Sequence, residues 1–129
     1  IGTGSGYQTA VLAELVRRVY TLEVLEPLSR GARLLLTRLG YQNIEFAVGD
    51  GRRGWPEEAP FDAILAAAAA EDLPAPLRDQ IADGGRMILP LGLGHQDLWL
   101  FLRFGNEFVS RRLLPVRFVP LVHGCPPTT

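Results

Sequence analysis

Lysine is absent from this chain, and all 13 basic residues are arginine. That excludes a phosphate-binding loop of the G-x-x-x-x-G-K-[ST] kind and any reaction built on a lysine base. The single cysteine, Cys125, has no second thiol for an internal disulfide, so a reducing, cytoplasmic setting is expected. The two histidines, His95 in a glycine-rich loop and His123 near the end, are far apart in sequence and read as surface residues. No metal cluster and no Ser-His-Asp set can be assembled from such a scatter. No apolar run approaches the about 18 residues of a membrane-spanning helix, and no membrane partner is expected.

Charge is equally uninformative. Fourteen acids against the arginines leave a net charge of −1, which creates no field for nucleic acid or an anionic membrane. The pairs Arg17-Arg18, Arg52-Arg53 and Arg111-Arg112 are scattered and read as solvated faces. With 47% apolar and 21% charged residues, the composition is that of an ordinary globular chain. A chain of 129 residues is one domain at most, able to bury roughly two-thirds of its unfolded surface. The expected division is a domain over residues 1–122 and a flexible, proline-containing tail over 123–129, in a monomer.

What is present is concentrated at the start. Ile1 leads into Gly2-Thr3-Gly4-Ser5-Gly6, and a helical pattern begins at Tyr7. This reads as a strand end, a tight turn and the first turn of a helix. Glycines suit such a turn because the backbone there must reach positive φ or approach a ligand closely. The free N–H groups of the helix start then form a partly positive cup for an anionic group. Ser5 and Gln8 have capping-box spacing, which predicts the helix start at Ser5. An ordinary glycine turn without a ligand is the alternative.

The spacing narrows the ligand. Dinucleotide folds use G-x-G-x-x-G, and here bulky Tyr7 stands where the third glycine belongs. A nucleoside ligand without phosphates remains, of which S-adenosyl-L-methionine is the case in point. Residue 1 is Ile, with almost no strand before the turn, so the expectation is a chain lying downstream in a longer protein with its first strand truncated.

Along the chain, Tyr7–Val16 is predicted as an all-round apolar helix and Val19–Val24 as a strand. Glu23 sits near that strand's carboxyl end, 17 residues past Gly6, where a carboxylate can grip a ribose diol or can simply be a solvent-facing strand-end acid. Pro27–Leu39 is a helix ended by Gly40, with Leu28, Ala32, Leu35, Leu36 and Leu39 as its core stripe. Ile44–Val48 is a strand followed by Gly49-Asp50-Gly51, whose acid can reach an adenine amino group or can simply close a turn. Arg52–Pro60 is a loop, Phe61–Ala66 a strand, and Ala67–Ala70 either a roomy loop or a helix. Pro74–Ala82 is a short helix stopped by Asp83-Gly84-Gly85, and Arg86–Leu91 a strand. Leu98–Phe104 and Phe108–Val116 form a hairpin about Gly105-Asn106-Glu107, and Phe118–Val122 is an apolar finishing segment. The fold class is α/β: a doubly wound, Rossmann-like sheet, mostly parallel, with an antiparallel hairpin at its C-terminal end.

The run from Gly2 to Ala10 resembles the cofactor motif of protein-L-isoaspartate O-methyltransferases. So do Val19-Tyr20-Thr21-Leu22-Glu23, Gly49-Asp50-Gly51 with Gly54-Trp55-Pro56, Pro60-Phe61-Asp62-Ala63-Ile64, Gly84-Gly85-Arg86, and Leu113 to Leu121. The resemblance runs in order to about Val122. It implies a class I methyltransferase fold that methylates the α-carboxylate of isoaspartyl residues in damaged proteins from S-adenosyl-L-methionine. Carried over by motif, Gly2, Thr3, Gly4, Ser5 and Gly6 line the methionine end, Glu23 holds the ribose, and Asp50 with Gly51 lies by the adenine. The family's active-site hydroxyl would lie upstream of Ile1, so no catalytic residue is assigned within the chain. Ala66–Glu71 departs from the family's usual Val-Thr-Ala-Ala-Ala-Pro. Two other readings stand beside this one: a class I methyltransferase of a small molecule or RNA, and a cofactor-binding protein without catalysis.

Overall fold

In the first part of the chain, one buried strand carries the layer. The computed structural model describes residues 1–121; the expected tail, with His123, Cys125 and Val122, lies outside the described residues. These residues divide into two compact units, Gly2–Gly51 and Ile1 with Arg52–Leu121.

In the first unit the order is α1 (Tyr7–Leu15), β1 (Val19–Glu23), α2 (Glu26–Arg38) and β2 (Ile44–Val48). β1 and β2 pair in parallel from Val19↔Ile44 to Glu23↔Val48. The connection between them is α2, as a parallel pair requires. Glu26 in its first turn and Arg38 in its last suit the helix dipole. Gly40, at φ 94°, closes α2: its N–H reaches the Thr37 carbonyl and the Tyr41 N–H the Leu36 carbonyl. Gly40 thus ends the helix as the sequence predicted, and the two bonds make it a Schellman ending.

Two helical faces differ from expectation. α2 buries Ser29, Ala32 and Leu36, whereas Leu28, Leu35 and Leu39 are exposed. The spacing 29-32-36 is a single stripe, and its small members let α2 approach closely. α1 buries only Thr9 and Ala13, leaving Tyr7 79% and Leu15 75% exposed, so it is not covered all round. Asn43 completes its C-terminal end, donating its side-chain amide to the Ala13 and Val16 carbonyls at 2.9 and 3.1 Å.

In the second unit the elements are β3 (Phe61–Leu65), α3 (Ala75–Asp79), β4 (Ile81–Leu91), β5 (Gln96–Phe104) and β6 (Glu107–Val116). They form one sheet in the order β3-β4-β5-β6, parallel at β3–β4 and antiparallel thereafter. Ala66, Leu77, Ile81, Met87, Leu89 and Phe101 make its core. Ile1 pairs beside the end of β3, giving its amino group to the Leu65 carbonyl and accepting from the Ala67 N–H.

The predicted helix to Ala82 and its Asp83-Gly84-Gly85 stop are corrected here. α3 ends at Asp79, and Ile81, fully buried, already pairs with Phe61. The register jumps from Phe61↔Ile81 to Ala63↔Arg86, so Asp83-Gly84-Gly85 is a bulge inside a long strand. A Cβ on Gly85 would stand 2.8 Å from the Ala82 carbonyl oxygen and 2.9 Å from that of Asp62, which is why glycine is needed there. The hairpin is as predicted, except that its loop is only Gly105-Asn106 and Glu107 belongs to β6. The predicted Arg52–Pro60 loop carries one 3-10 turn at Pro56–Glu58. The chain thus adopts the expected α/β class, with parallel pairs early and an antiparallel hairpin late.

Candidate functional site

Alternation along β1 places Thr21 and Glu23 on one face of the strand. Glu23 is its last residue and only 7% exposed. Its Oε1 accepts from the Gly4 N–H at 2.9 Å and its Oε2 from the Leu25 N–H at 3.0 Å. Its main-chain carbonyl accepts from the Gly49 N–H at 3.0 Å, and the neighbouring Leu22 carbonyl accepts from the Gly2 N–H at 2.8 Å. Two glycine turns remote in sequence, Gly2–Gly6 and Gly49–Gly51, therefore both end at one strand terminus.

The first turn uses its glycines as the sequence required. Gly2, Gly4 and Gly6 have φ of 92°, 54° and 93°. Their reasons differ. A Cβ on Gly4 would meet nothing within 4 Å, so that face of the turn opens into space. A Cβ on Gly6 would lie 3.2 Å from Ala32 Cβ and 3.2 Å from Leu36 Cδ1, so Gly6 lets the turn seat against α2.

The capping-box expectation is overturned. Gly6, not Ser5, is the N-cap of α1, in the left-handed region and with no side-chain cap, and Ser5 is exposed. The backbone closes the turn instead, Gly6 N–H to the Thr3 carbonyl and Ala10 N–H to the Gly6 carbonyl, both at 2.9 Å.

All eight residues put forward for the cofactor lie in this unit: Gly2, Thr3, Gly4, Ser5, Gly6, Glu23, Asp50 and Gly51. Asp50 is half-buried and Gly51 buried, directly after β2. Thr3 is 4% exposed with its hydroxyl 2.7 Å from Thr21 Oγ1, so only its backbone is left for a ligand. A carboxylate offers about four lone-pair sites, and Glu23 uses one on each oxygen for backbone, leaving acceptors for a diol.

Among the buried polar residues, Thr21 and Gln80 make contacts that were not singled out from sequence. Thr21 lies between Thr3 and Thr9, with Thr9 Oγ1 3.3 Å from its own. Its only signal was a threonine in a mostly apolar strand, two residues before the acid. In the second unit Gln80, 6% exposed, holds the loop before the 3-10 turn, accepting from Trp55 N–H at 2.9 Å and donating to the Arg53 carbonyl at 2.7 Å. The Ala66–Ala70 run is extended rather than helical: Ala69 bridges to Pro120 and Ala70 to Leu91, while Ala68 and Ala70 pack with Leu121. His95 is exposed, with Nε2 3.2 Å from Asp97 Oδ1. Among the described residues no group of three or more His, Cys, Asp or Glu side chains is placed to hold a metal, and no helix is long and apolar enough to cross a membrane.

Residues 1–125 match the family model for protein-L-isoaspartate(D-aspartate) O-methyltransferase. A protein-L-isoaspartate O-methyltransferase of Aeromonas salmonicida is 55% identical over 124 residues, 96% of this chain and 60% of that protein. A solved protein-L-isoaspartate O-methyltransferase superposes with a TM-score of 0.87 at 31% identity, over 92% of this chain and 39% of the other. A Plasmodium falciparum structure described as such an enzyme in complex with S-adenosyl-L-homocysteine gives 0.80 at 28% identity, over 94% of this chain and 63% of that one. The chain thus spans about 60% of the length of the curated relatives it matches. With nearly its whole length inside the family model, the chain belongs to the protein-L-isoaspartate(D-aspartate) O-methyltransferase family.

Proposed function

We propose that residues 1–122 make an S-adenosyl-L-methionine-binding domain of a carboxyl O-methyltransferase acting on isoaspartyl residues of damaged proteins. One observation carries the reading: the Glu23 carboxylate is tied to the Gly4 amide while its backbone holds the Gly49 turn. This is the junction at which α/β folds take a nucleoside.

The residues present fit that cofactor. The open face over Gly4 leaves room for its methionine end, beside the N–H groups at the start of α1. Glu23 has acceptors to spare for the ribose hydroxyls, and Asp50 with Gly51 follows β2, where the adenine would lie. When bound, the cofactor supplies an electrophilic methyl group on sulfur. A substrate carboxylate is ionised at neutral pH, so this chain needs no general base to activate it. The chain's contribution is to hold and orient, which can be worth about 7–11 kcal/mol when geometry is right. The expected monomeric state and cytoplasmic setting belong to this proposal, as does the absence of nucleic acid and membrane from its partners.

Calorimetric titration with S-adenosyl-L-homocysteine and methyl transfer to an isoaspartyl peptide test it together. Binding with transfer supports the whole reading. Binding without transfer by this chain narrows it to cofactor binding, and no binding ends it.

A further inference from the structure

We propose that Thr21 is a positioning residue for the cofactor turn, an inference that rests on the cofactor reading above. The turn's backbone is not self-defining. Gly2 and Gly4 both sit at positive φ, and glycine loses more freedom on ordering than any other residue. Thr3 is the side chain between them, and its hydroxyl is anchored 2.7 Å from Thr21 Oγ1. The next residue, Gly4, is anchored through its N–H to Glu23, the next residue on the same face of β1. Consecutive turn residues are thus pinned to consecutive positions of one strand face. Thr9 adds a third point, 3.3 Å from the same Thr21 oxygen, on the first turns of α1.

All three threonines are 4% exposed, so water does not replace a lost partner. Thr21 is the middle of the chain of hydroxyls, able to donate to one neighbour and accept from the other. Without it, both neighbours are buried and unpaired, which a turn of glycines relieves by changing shape. The Gly4 amide and the start of α1 then leave the positions that face the ligand.

The test compares Thr21→Val, nearly isosteric but without a hydroxyl, with Thr21→Ser, which keeps it. Asn43→Ala, which removes two hydrogen bonds at the far end of α1, is the control for general destabilisation. The readouts are S-adenosyl-L-homocysteine affinity by calorimetry and amide hydrogen exchange over Gly2–Tyr7. Thr21→Val is expected to lose about tenfold or more in affinity and to exchange faster in that segment. Thr21→Ser should stay within about threefold, and Asn43→Ala should match the unaltered chain in both. Should Thr21→Val fail to fold, Thr3→Val breaks the same bond from the turn side and takes its place. Unchanged affinity and exchange in the valine variant overturn the proposal, as does equal loss in Asn43→Ala. If the unaltered chain does not bind, the cofactor reading fails separately, and equal exchange in Thr21→Val and the unaltered chain still overturns the role of Thr21.

Discussion

Gly4 and Gly6 share a motif and a left-handed backbone, yet they are glycines for different reasons, and substitution should separate them. Any side chain at either position pays about 1–2 kcal/mol of backbone strain. At Gly4 the added methyl meets no protein atom, so Gly4→Ala should lower cofactor-analogue affinity several-fold while stability falls only by that backbone strain, about 1–2 kcal/mol. At Gly6 it presses on Ala32 and Leu36, both almost fully buried, so Gly6→Ala should lower stability by about 2–4 kcal/mol. Paired thermal melts and titrations check this; similar profiles for the two variants would contradict it. Tyr41 allows a pH test at the same scale. Its Oη donates to Glu14 Oε1 at 2.9 Å, and that bond, with burial and the Glu14 charge, raises the phenol above its ordinary value. The neutral phenol is the form favoured in the folded chain. Its contribution is therefore fully present below the unfolded value of about 10 and is lost as pH rises through the higher folded value. Alkaline absorbance titration should show the Tyr41 component moving down in Glu14→Gln; an unmoved curve would show the bond to be absent in solution.

Among elements, the strand–turn–helix sequence around the glycines was legible because glycine at positive φ has few structural uses. β2 was legible at both ends and β1 to within one residue, since Val24 lies beyond its end at Glu23, because short apolar runs ended in glycine or acid. The start of β4 was not. Asp83-Gly84-Gly85 reads as a helix stop, and only the pairing of Ile81 with Phe61 shows it to be a bulge. Nor was the buried side of α2, since leucines on several sides compete and the small residues Ser29 and Ala32 decide. The Arg53–Trp55 loop shows a further dependence invisible in sequence. Gly54 has φ 64°, and a Cβ there would overlap the Gln80 side-chain amide. Gly54→Ala should therefore displace the Gln80 amide and cost about 2–4 kcal/mol in denaturant unfolding. Gln80→Leu, which leaves Trp55 N–H and the Arg53 carbonyl without that partner, should cost about 1–3 kcal/mol. A Gly54→Ala variant as stable as the unaltered chain would show that the clamp does not hold the loop.

At the scale of the whole molecule, the α/β class and the order of elements were legible from the alternation of strand and helix patterns, and the hairpin from two β-rich runs about Gly105-Asn106. The residues proposed for the site were legible as types, three glycines and one strand-end acid, but their joints were not. Sequence spacing could not show that Glu23 serves two turns and α2 at once, through Oε1, Oε2 and its carbonyl. That this convergence also holds the ligand is the central claim, and Glu23→Gln tests it most directly, keeping the shape of the side chain while removing its charge and one acceptor oxygen. Measured by calorimetry on folded protein, S-adenosyl-L-homocysteine should bind this variant at least tenfold more weakly than the unaltered chain. Equal affinity would contradict the account, since the carboxylate would then hold the turns without holding the ligand.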